Sequence, residues 1–534
     1  MKFKQKILIT LPVFLLFIFC NCGHMHTPRD MQSQINTRLL QASANGILQD
    51  VKGALAYGAK INAKDDATSA TPLFIASFEG YTEVVKFLLD KGADMEAKES
   101  KHEITPLGMA SYNGHLDIVK LLLDHGADIE AKALKLEVTP LWMASQNGHL
   151  DIVKRLLDKG ADIEAKALKL EVTPLWMASQ NGHLDIVKLF LDKGADIEAK
   201  KSNGITALWK ASQYGHLDVV KLLLGHGADI EVKKSNGITA LWKASQYGHL
   251  DVVKLLLDHG ADIEVKKSNG TTALWIASKN GHAKIVKLLL DHGAHIEVKG
   301  LKGEVTPLWI ASQNGHTKVV KLLLDHGADM EARALKLEVT PLWIASQNGH
   351  AKIVKLLLDH GAHIEVKGLK GEVTPLWIAS QNGHTKVVKL LLDHGAHIEV
   401  KGLKGEVTPL WIASQNGHTK VVKLLLDKGA DIGAKDTSDG TTALWIASKN
   451  GHLDIVKLLL DHGADIEATE SKNEVTPLWI ASLKGHTEVV KLLLNKGAKA
   501  NVKDKRNGET ALMKARHNGY KKIVNLLIEN GTEE

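Results

Sequence analysis

The chain has 534 residues, and its charged, apolar and glycine contents are close to globular averages, so composition alone excludes little. The formal net charge of +6 includes Lys2, Lys4 and Lys6, and elsewhere lysines and carboxylates are interspersed along every segment. This balance argues against a dedicated nucleic-acid binder, because such proteins usually concentrate their basic residues on one face.

The first feature along the chain is an apolar run from Ile7 to Cys20 that follows the three lysines and is interrupted by Pro12. Its length and flanks fit the core of a signal peptide better than a membrane-spanning helix. We therefore expect an export signal over residues 1–22 and a tether over residues 23–35. The protein would then be exported to the periplasm or cell envelope, or secreted.

The end of this run contains both cysteines of the chain, in the sequence Phe19-Cys20-Asn21-Cys22-Gly23. This segment resembles the lipobox of bacterial lipoproteins, which implies that Cys22 carries lipid and anchors the protein to a membrane. Cys20 and Asn21 stand where a strict lipobox has small residues, so cleavage and plain secretion is an alternative, as is a retained anchor or a misread start. The rest of the chain has no cysteine and can form no disulfide framework.

Beyond residue 35 the chain repeats one unit of 33 or 34 residues. A Thr-Pro-Leu or Thr-Ala-Leu triplet marks each regular copy, starting at Thr71, Thr105, Thr139, Thr173, Thr206, Thr239, Thr272, Thr306, Thr340, Thr374, Thr408, Thr442, Thr476 and Thr510. A degenerate first copy without the triplet covers residues 36–70, the repeats proper cover 71–509, and the last copy covers 510–534. The terminal copies are expected to cap the array.

Each copy predicts two helices and a connecting loop. In the copy that begins with Thr139, this threonine can cap a first helix that Gly148 ends. A second helix opens near His149 and stops at Gly160, which can adopt the left-handed conformation. The apolar stripe of the second helix comprises Ile152, Val153, Leu156 and Leu157. The polar stretch before the next triplet should form a hairpin-like finger.

One such unit cannot bury its apolar stripe alone, whereas stacked neighbours bury it continuously. The period, the Thr-Pro-Leu start, the Asn-Gly-His break and the Gly-Ala-Asp end resemble ankyrin repeats over residues 36–531. The resemblance implies an all-α fold, an ankyrin-repeat solenoid of about 15 helix-turn-helix units with hairpin-like fingers. It also implies protein partners bound on the concave side, and we expect a monomeric scaffold. The last copy carries polar residues suited to a cap, namely Lys514, Arg516, Lys521 and Lys522.

The array departs from the family at the residue after the triplet, where the family normally has histidine. Eleven copies carry tryptophan there: Trp142, Trp176, Trp209, Trp242, Trp275, Trp309, Trp343, Trp377, Trp411, Trp445 and Trp479. One interpretation is an aromatic stack buried between adjacent first helices. The alternative is a partly exposed row of indoles, which would make a structural or carbohydrate-binding surface.

Two sets of residues are candidates for partner binding. The first set is the apolar residues of the fingers, which either pack against adjacent fingers or form an exposed contact line: Leu134, Leu136, Leu168, Leu170, Leu335 and Leu337. The second set lies at the end of the first helices, at Gln146, Asn147, Gln180, Asn181, Gln213, Tyr214, Gln246, Tyr247, Gln313, Asn314, Gln347, Asn348, Gln381, Asn382, Gln415 and Asn416. Their near uniformity fits either a repetitive ligand or recent duplication. Residues 282–328 are identical to residues 350–396, which directly supports duplication.

No motif in the chain predicts catalysis, a metal or a cofactor. His292 and His295 begin one of three His-x-x-His patterns, but Gly and Ala intervene where a helix ends, so we interpret these histidines as solvated. Catalysis needs a constellation of groups in a special environment, whereas the acids, histidines and serines here recur in equivalent copies. We therefore expect a binding protein that is not an enzyme.

Overall fold

The computed structural model describes residues 28–133, 137–167, 170–301, 303–335, 338–368, 372–402 and 405–531. Within these residues the chain forms 30 α-helices and no strand, and the helices are paired into fifteen helix-turn-helix repeats. The predicted all-α repeat solenoid is confirmed. The chain divides into two compact units. The first comprises the chain up to Ala178 together with Asp185–Ala195, and the second comprises Ser179–Leu184 together with the chain from Asp196 onward.

The first unit contains four complete repeats. Their helices are α1 Pro28–Asn45, α2 Leu48–Ala56, α3 Pro72–Glu79, α4 Thr82–Asp90, α5 Pro106–Asn113, α6 Leu116–Asp124, α7 Pro140–Asn147 and α8 Leu150–Asp158. The division between the units passes through the fifth repeat, which has α9 Pro174–Asn181 and α10 Leu184–Asp192.

The second unit contains ten repeats. Their first helices are α11 Ala207–Tyr214, α13 Ala240–Tyr247, α15 Ala273–Asn280, α17 Pro307–Gln313, α19 Pro341–Gln347, α21 Pro375–Gln381, α23 Pro409–Gln415, α25 Ala443–Asn450, α27 Pro477–Lys484 and α29 Ala511–His517. Their second helices are α12 Leu217–Gly225, α14 Leu250–Asp258, α16 Ala283–Asp291, α18 Thr317–Asp325, α20 Ala351–Asp359, α22 Thr385–Asp393, α24 Thr419–Asp427, α26 Leu453–Asp461, α28 Thr487–Asn495 and α30 Lys521–Glu529.

The helix boundaries follow the predicted capping residues. The Thr139 hydroxyl accepts a hydrogen bond from the backbone N–H of Trp142 at 3.3 Å, so this threonine is the N-cap of α7. Gly148 ends α7 in the left-handed region at φ 84°, and Gly160 follows α8 at φ 90°. His149 is the N-cap position of α8, as its place in the sequence predicted.

The amino-terminal repeat differs from the prediction because α1 begins at Pro28, whereas the tether was expected to extend to residue 35. Proline suits the first turn of a helix, and the end of α2 anchors the added turns. The Gln32 amide donates to the Gly58 carbonyl at 3.0 Å, and the Asn36 side chain accepts from the Lys60 N–H at 2.9 Å. The export signal and Cys22 lie outside the described residues. Within the described residues, no helix combines the length and apolarity needed to cross a membrane.

The carboxyl-terminal repeat has the polar surface predicted for a cap. Arg516, Lys521 and Lys522 are exposed on α29 and α30. Lys514 is half-buried, and its ammonium group forms an ion pair with Glu509.

The Asn-Gly-His sequence, where a repeat has it, joins that repeat to the preceding one. The His316 Nε2 atom donates to the Lys279 carbonyl at 2.9 Å, and the Asn314 amide donates to the same oxygen at 3.2 Å. Gly281 lies beneath this histidine ring with φ 77°, and a Cβ atom there would be 2.5 Å from His316 Nδ1. Glycine is therefore required at this position by both backbone conformation and close packing.

Six fingers are closed by isolated antiparallel bridges, which confirms their hairpin-like form. These bridges join Ala133 to Val138, Ala167 to Val172, Gly300 to Val305, Ala334 to Val339, Gly402 to Val407 and Lys503 to Thr510. Neighbouring fingers are also connected, since the Leu335 N–H donates to the Gly303 carbonyl at 2.9 Å. At the finger base, Glu297 accepts from the Asp329 N–H of the next repeat at 2.8 Å.

The contact between Gly281 and His316 can be tested with two glycine substitutions in one repeat. Gly293 has a similar φ of 82°, but no atom lies within 4 Å of its Cβ position. Gly293→Ala should therefore cost only the left-handed strain, about 1–2 kcal/mol. Gly281→Ala should cost a further 1–3 kcal/mol or so, because the His316 ring must move. Urea unfolding followed by circular dichroism measures both, and equal losses would contradict the packing role of Gly281.

Candidate functional site

The surface considered for binding consists of the exposed faces of the first helices together with the fingers, which we call the inner surface. The tryptophans lie beneath it. Ten of them are at most 8% exposed, and only Trp411 is half-buried. The buried aromatic interpretation is therefore correct for this row.

In most repeats of the second unit, the buried indole also donates a hydrogen bond to the next repeat. The Trp377 Nε1–H donates to the Val407 carbonyl at 2.9 Å, and the indole lies close to Gly402 of the same finger. Equivalent bonds join Trp209 to Ile238, Trp275 to Val305, Trp309 to Val339, Trp343 to Val373, Trp445 to Val475 and Trp479 to Glu509. The tryptophans therefore connect a first helix to the following finger.

This burial contradicts the alternative interpretation of the tryptophans as an exposed row. A carbohydrate-binding surface needs open aromatic faces, whereas ten of these rings are enclosed by protein, and most of the N–H groups donate to backbone carbonyls. The sequence could not distinguish the two arrangements, because in most copies the partner of the indole is a backbone atom one repeat away.

The asparagines predicted to bind a partner have a contact inside the array. Their side-chain amides donate to a carbonyl of the preceding first helix, as seen for Asn147, Asn314, Asn348, Asn382 and Asn416. Asn181 is exposed. Most of the asparagines thus help to stack repeats, and their role in partner binding stays a prediction.

The glutamines of the same set are mostly half-buried, and this applies to Gln146, Gln213, Gln246, Gln313, Gln347, Gln381 and Gln415. Gln180 is buried. Tyr214 is half-buried and Tyr247 is 50% exposed, so Tyr247 is the most accessible aromatic side chain at this position.

The fingertip leucines are only partly described. Leu335 is 56% exposed and Leu170 is half-buried, so the two described members differ in accessibility. Leu134, Leu136, Leu168 and Leu337 lie outside the described residues. An apolar contact line along the fingers stays a prediction.

A groove of about 590 Å³ lies on the inner surface of the first unit. Its walls come from α1, from the first helices α3 and α5, and from the fingers that precede those two helices. Leu40, Phe74, Ile75, Phe78 and Met109 form its apolar part. Its polar lining includes Gln32, Asn36, Gln41, Asp66, Glu79 and Lys101.

One wall of the groove is held by a buried carboxylate. Glu99 accepts the Lys101 N–H at 2.7 Å and also the His102 N–H, and one of its oxygens is 3.3 Å from His102 Nδ1. These bonds hold the finger tip in place. The backbone that lines the groove on this side is thus fixed by local hydrogen bonds.

A family model described as ankyrin repeats (3 copies) matches the chain at residues 15–99, 39–133, 94–167, 141–234, 175–267, 231–300, 262–334, 308–402, 367–436, 402–470 and 467–534. The chain belongs to the ankyrin-repeat family. Ankyrin repeats are in general modules for protein–protein interaction, and the family is typically a non-enzymatic scaffold. No curated protein was found to match this chain.

The groove was not predicted from the sequence of this ankyrin-repeat protein, although a signal for it exists. The copy that begins at Thr71 has Phe74, which lines the groove, where eleven later copies have tryptophan. This departure from the repeat was the available signal.

The described histidines show no arrangement typical of a metal site. No group of three or more His, Cys, Asp or Glu residues in the described ranges could hold a metal ion. His292 contacts the Leu288 carbonyl through Nδ1 at 2.8 Å, and the N–H of His295 donates to Glu264 at 2.7 Å. Both residues of this pair thus bond to atoms of the ankyrin array.

Substitution of Trp377 tests the role of the tryptophan row. Trp377→Ala should destabilise the chain by about 3–5 kcal/mol, because a large side chain that is 1% exposed is removed. Trp377→Phe keeps an aromatic ring and loses the hydrogen bond to Val407, so we expect a smaller loss of about 1–2 kcal/mol. Urea unfolding followed by circular dichroism measures both. A negligible loss in the alanine variant would mean that the indole does not join the repeats.

Proposed function

We propose that this protein is an exported, lipid-anchored scaffold that binds a protein partner through the inner surface of its ankyrin repeats. The groove in the first unit is the observation that carries this proposal. Its volume of about 590 Å³ lies in the range of ligand-binding clefts.

The lining of the groove suits a peptide segment. Phe74, Phe78 and Met109 provide apolar contact area, while Gln41 and Glu79 provide exposed polar groups beside them. An apolar centre with a polar rim is the usual composition of a protein-binding site. We infer that an extended segment of the partner lies in this groove and places apolar side chains against Phe74 and Phe78.

The proposed location rests on the N-terminal sequence. Three lysines precede an apolar run that is too short for a typical membrane-spanning helix, which is the pattern of an export signal. A lipid on Cys22 would hold the repeats at a membrane surface while leaving the inner surface accessible. Stable anchoring by acyl chains generally requires more than one of them.

Charge substitutions on the groove test the binding surface. Gln41→Arg with Glu79→Arg should reduce capture of the partner from the producing cell's envelope extract at least about tenfold, since two bulky cations would enter the groove. Both residues are exposed, so the fold should be retained. Quantitative mass spectrometry of the captured proteins measures the effect.

A matched control uses the same residue types on the second helices of the same repeats. Gln49 and Glu83 are exposed on α2 and α4 and do not line the groove. Gln49→Arg with Glu83→Arg should leave capture unchanged. Equal capture by the groove variant and the parent would remove the groove from the proposal.

Metabolic labelling with a clickable fatty acid tests the anchor. The parent chain should incorporate label, Cys22→Ala should incorporate none, and Cys20→Ala should label like the parent. Label that persists in Cys22→Ala, or is absent from the parent, would contradict lipidation at this residue.

A further inference from the structure

Two consecutive repeats in the second unit differ from the rest of the array on the inner surface. Lys210 and Lys243 stand on α11 and α13 where most other first helices have methionine or isoleucine. Tyr214 and Tyr247, one turn further along these helices, replace the usual asparagine. The two repeats thus combine added cations with added aromatic rings.

The fingers beside these helices have lysine at a position where other fingers have an acidic residue, alanine or glycine. In each finger the backbone N–H of one residue donates to a carbonyl across the loop and closes it. The Asp436 N–H donates to the Thr441 carbonyl, and the Lys234 N–H donates to the Ile238 carbonyl, both at 3.0 Å. This position is acidic in five fingers, at Asp65, Glu99, Asp436, Glu470 and Asp504. It is lysine in three successive fingers, at Lys201, Lys234 and Lys267.

These lysines and the rings form one cluster, defined as Lys201, Lys210, Lys234, Lys243 and Lys267 with Trp209, Trp242, Tyr214 and Tyr247. Lys243 Nζ lies 5.2–5.6 Å from the centroids of Trp209, Trp242 and Tyr247. Lys210 Nζ lies 5.4 Å from the Tyr214 ring. Cation–π contacts of this length hold the ammonium groups at the surface beside the rings.

The cluster is electrostatically strained. Burial, followed by repulsion from neighbouring lysines, lowers the pKa of Lys210 and that of Lys243 to about 8. Lys243, Lys201 and Lys234 repel Lys210, while Lys234 and Lys267 repel Lys243, whose ammonium group donates to Gln246 Oε1 at 2.7 Å.

Unsatisfied polar atoms are also concentrated in this part of the second unit. Apart from serine hydroxyls, its buried side-chain atoms without a hydrogen-bond partner, among the described residues, are Asn203 Oδ1, Gln213 Oε1, Asn236 Oδ1 and Trp242 Nε1. Such atoms cost stability. These atoms therefore lower the stability of this part of the array.

We propose that this lysine cluster binds an acidic segment of a partner protein, with carboxylates at the lysines and aliphatic atoms against Tyr214 and Tyr247. This inference rests on the proposed scaffold function and names a second contact surface for it. Bound carboxylates would neutralise the mutual repulsion of the lysines. The cluster is confined to the inner surface of two repeats and three fingers, which matches a short peptide better than the extended phosphate track of a nucleic acid.

The test uses fluorescence anisotropy of the full chain with a short labelled peptide rich in Glu and Asp. A Gln/Asn-rich peptide of equal length is the negative control. Lys210→Ile with Lys243→Ile introduces the residue found in neighbouring repeats and should weaken binding at least about tenfold. Lys221→Gln with Lys254→Gln removes the same charge from exposed sites on the second helices and should change binding less than about twofold.

Two further readouts separate binding from folding. The isoleucine variant should have a higher thermal unfolding midpoint than the parent at neutral pH, because it replaces lysines whose charged form is disfavoured by burial. Binding by the parent should weaken as pH rises from about 7 to about 9, since Lys210 and Lys243 lose charge near pH 8 while the peptide stays ionised.

Other titratable groups face the cluster and bear on this pH dependence. They are Lys201, Lys234 and Lys267 on the fingers, Tyr214 and Tyr247 on the first helices, and His216 and His249 before the second helices. Burial lowers the pKa of both histidines and raises the pKa of Tyr214, so all three pKa values move away from that interval.

Several results would overturn the inference. They are no binding of the acidic peptide, equal loss in both lysine variants, or binding of a short single-stranded RNA in its place. If partner capture is still reduced by Gln41→Arg with Glu79→Arg, the scaffold proposal stands despite these results. Failure of the cluster is thus distinguishable from failure of the scaffold proposal.

Discussion

The structure depends on contacts between each repeat and the next, and the tryptophan on the first helix takes part in them in most repeats. Trp343 is 7% exposed, and its Nε1–H donates to the Val373 carbonyl of the following finger at 2.9 Å. One side chain thus contributes apolar burial to the stack of first helices and fixes the position of a finger. Stability in such an array is largely a sum of neighbour interfaces, so loss of one interface weakens two repeats.

The same dependence explains why the ends of the first helices vary so little. Asn348 and His350 both donate to the Gln313 carbonyl, at 2.9 and 3.0 Å, so they cannot change without loosening an interface. A repetitive ligand is not needed to account for their uniformity. Duplication of residues 282–328 as 350–396 copies interfaces that already fit, because each repeat carries both halves of the contact.

The parts of the fold that could be predicted are those determined within one repeat. Thr139, Gly148 and Gly160 define helix ends through local hydrogen bonds and backbone conformation, and the structure places them as expected. The start of α1 could not be predicted, since the bond from Gln32 to Gly58 joins it to α2. The role of Asn314 in joining two repeats could not be predicted either, because the carbonyl that accepts its hydrogen bond belongs to the previous repeat.

Both candidate sites occur where the array departs from its own consensus. Phe74 lines the groove at a position where eleven later copies have tryptophan, while Lys243 replaces an apolar residue and places a cation among aromatic rings. In a protein whose repeats are otherwise nearly interchangeable, such positions are the ones at which a surface can be specific without disturbing the rest, since repeats interact only with their neighbours.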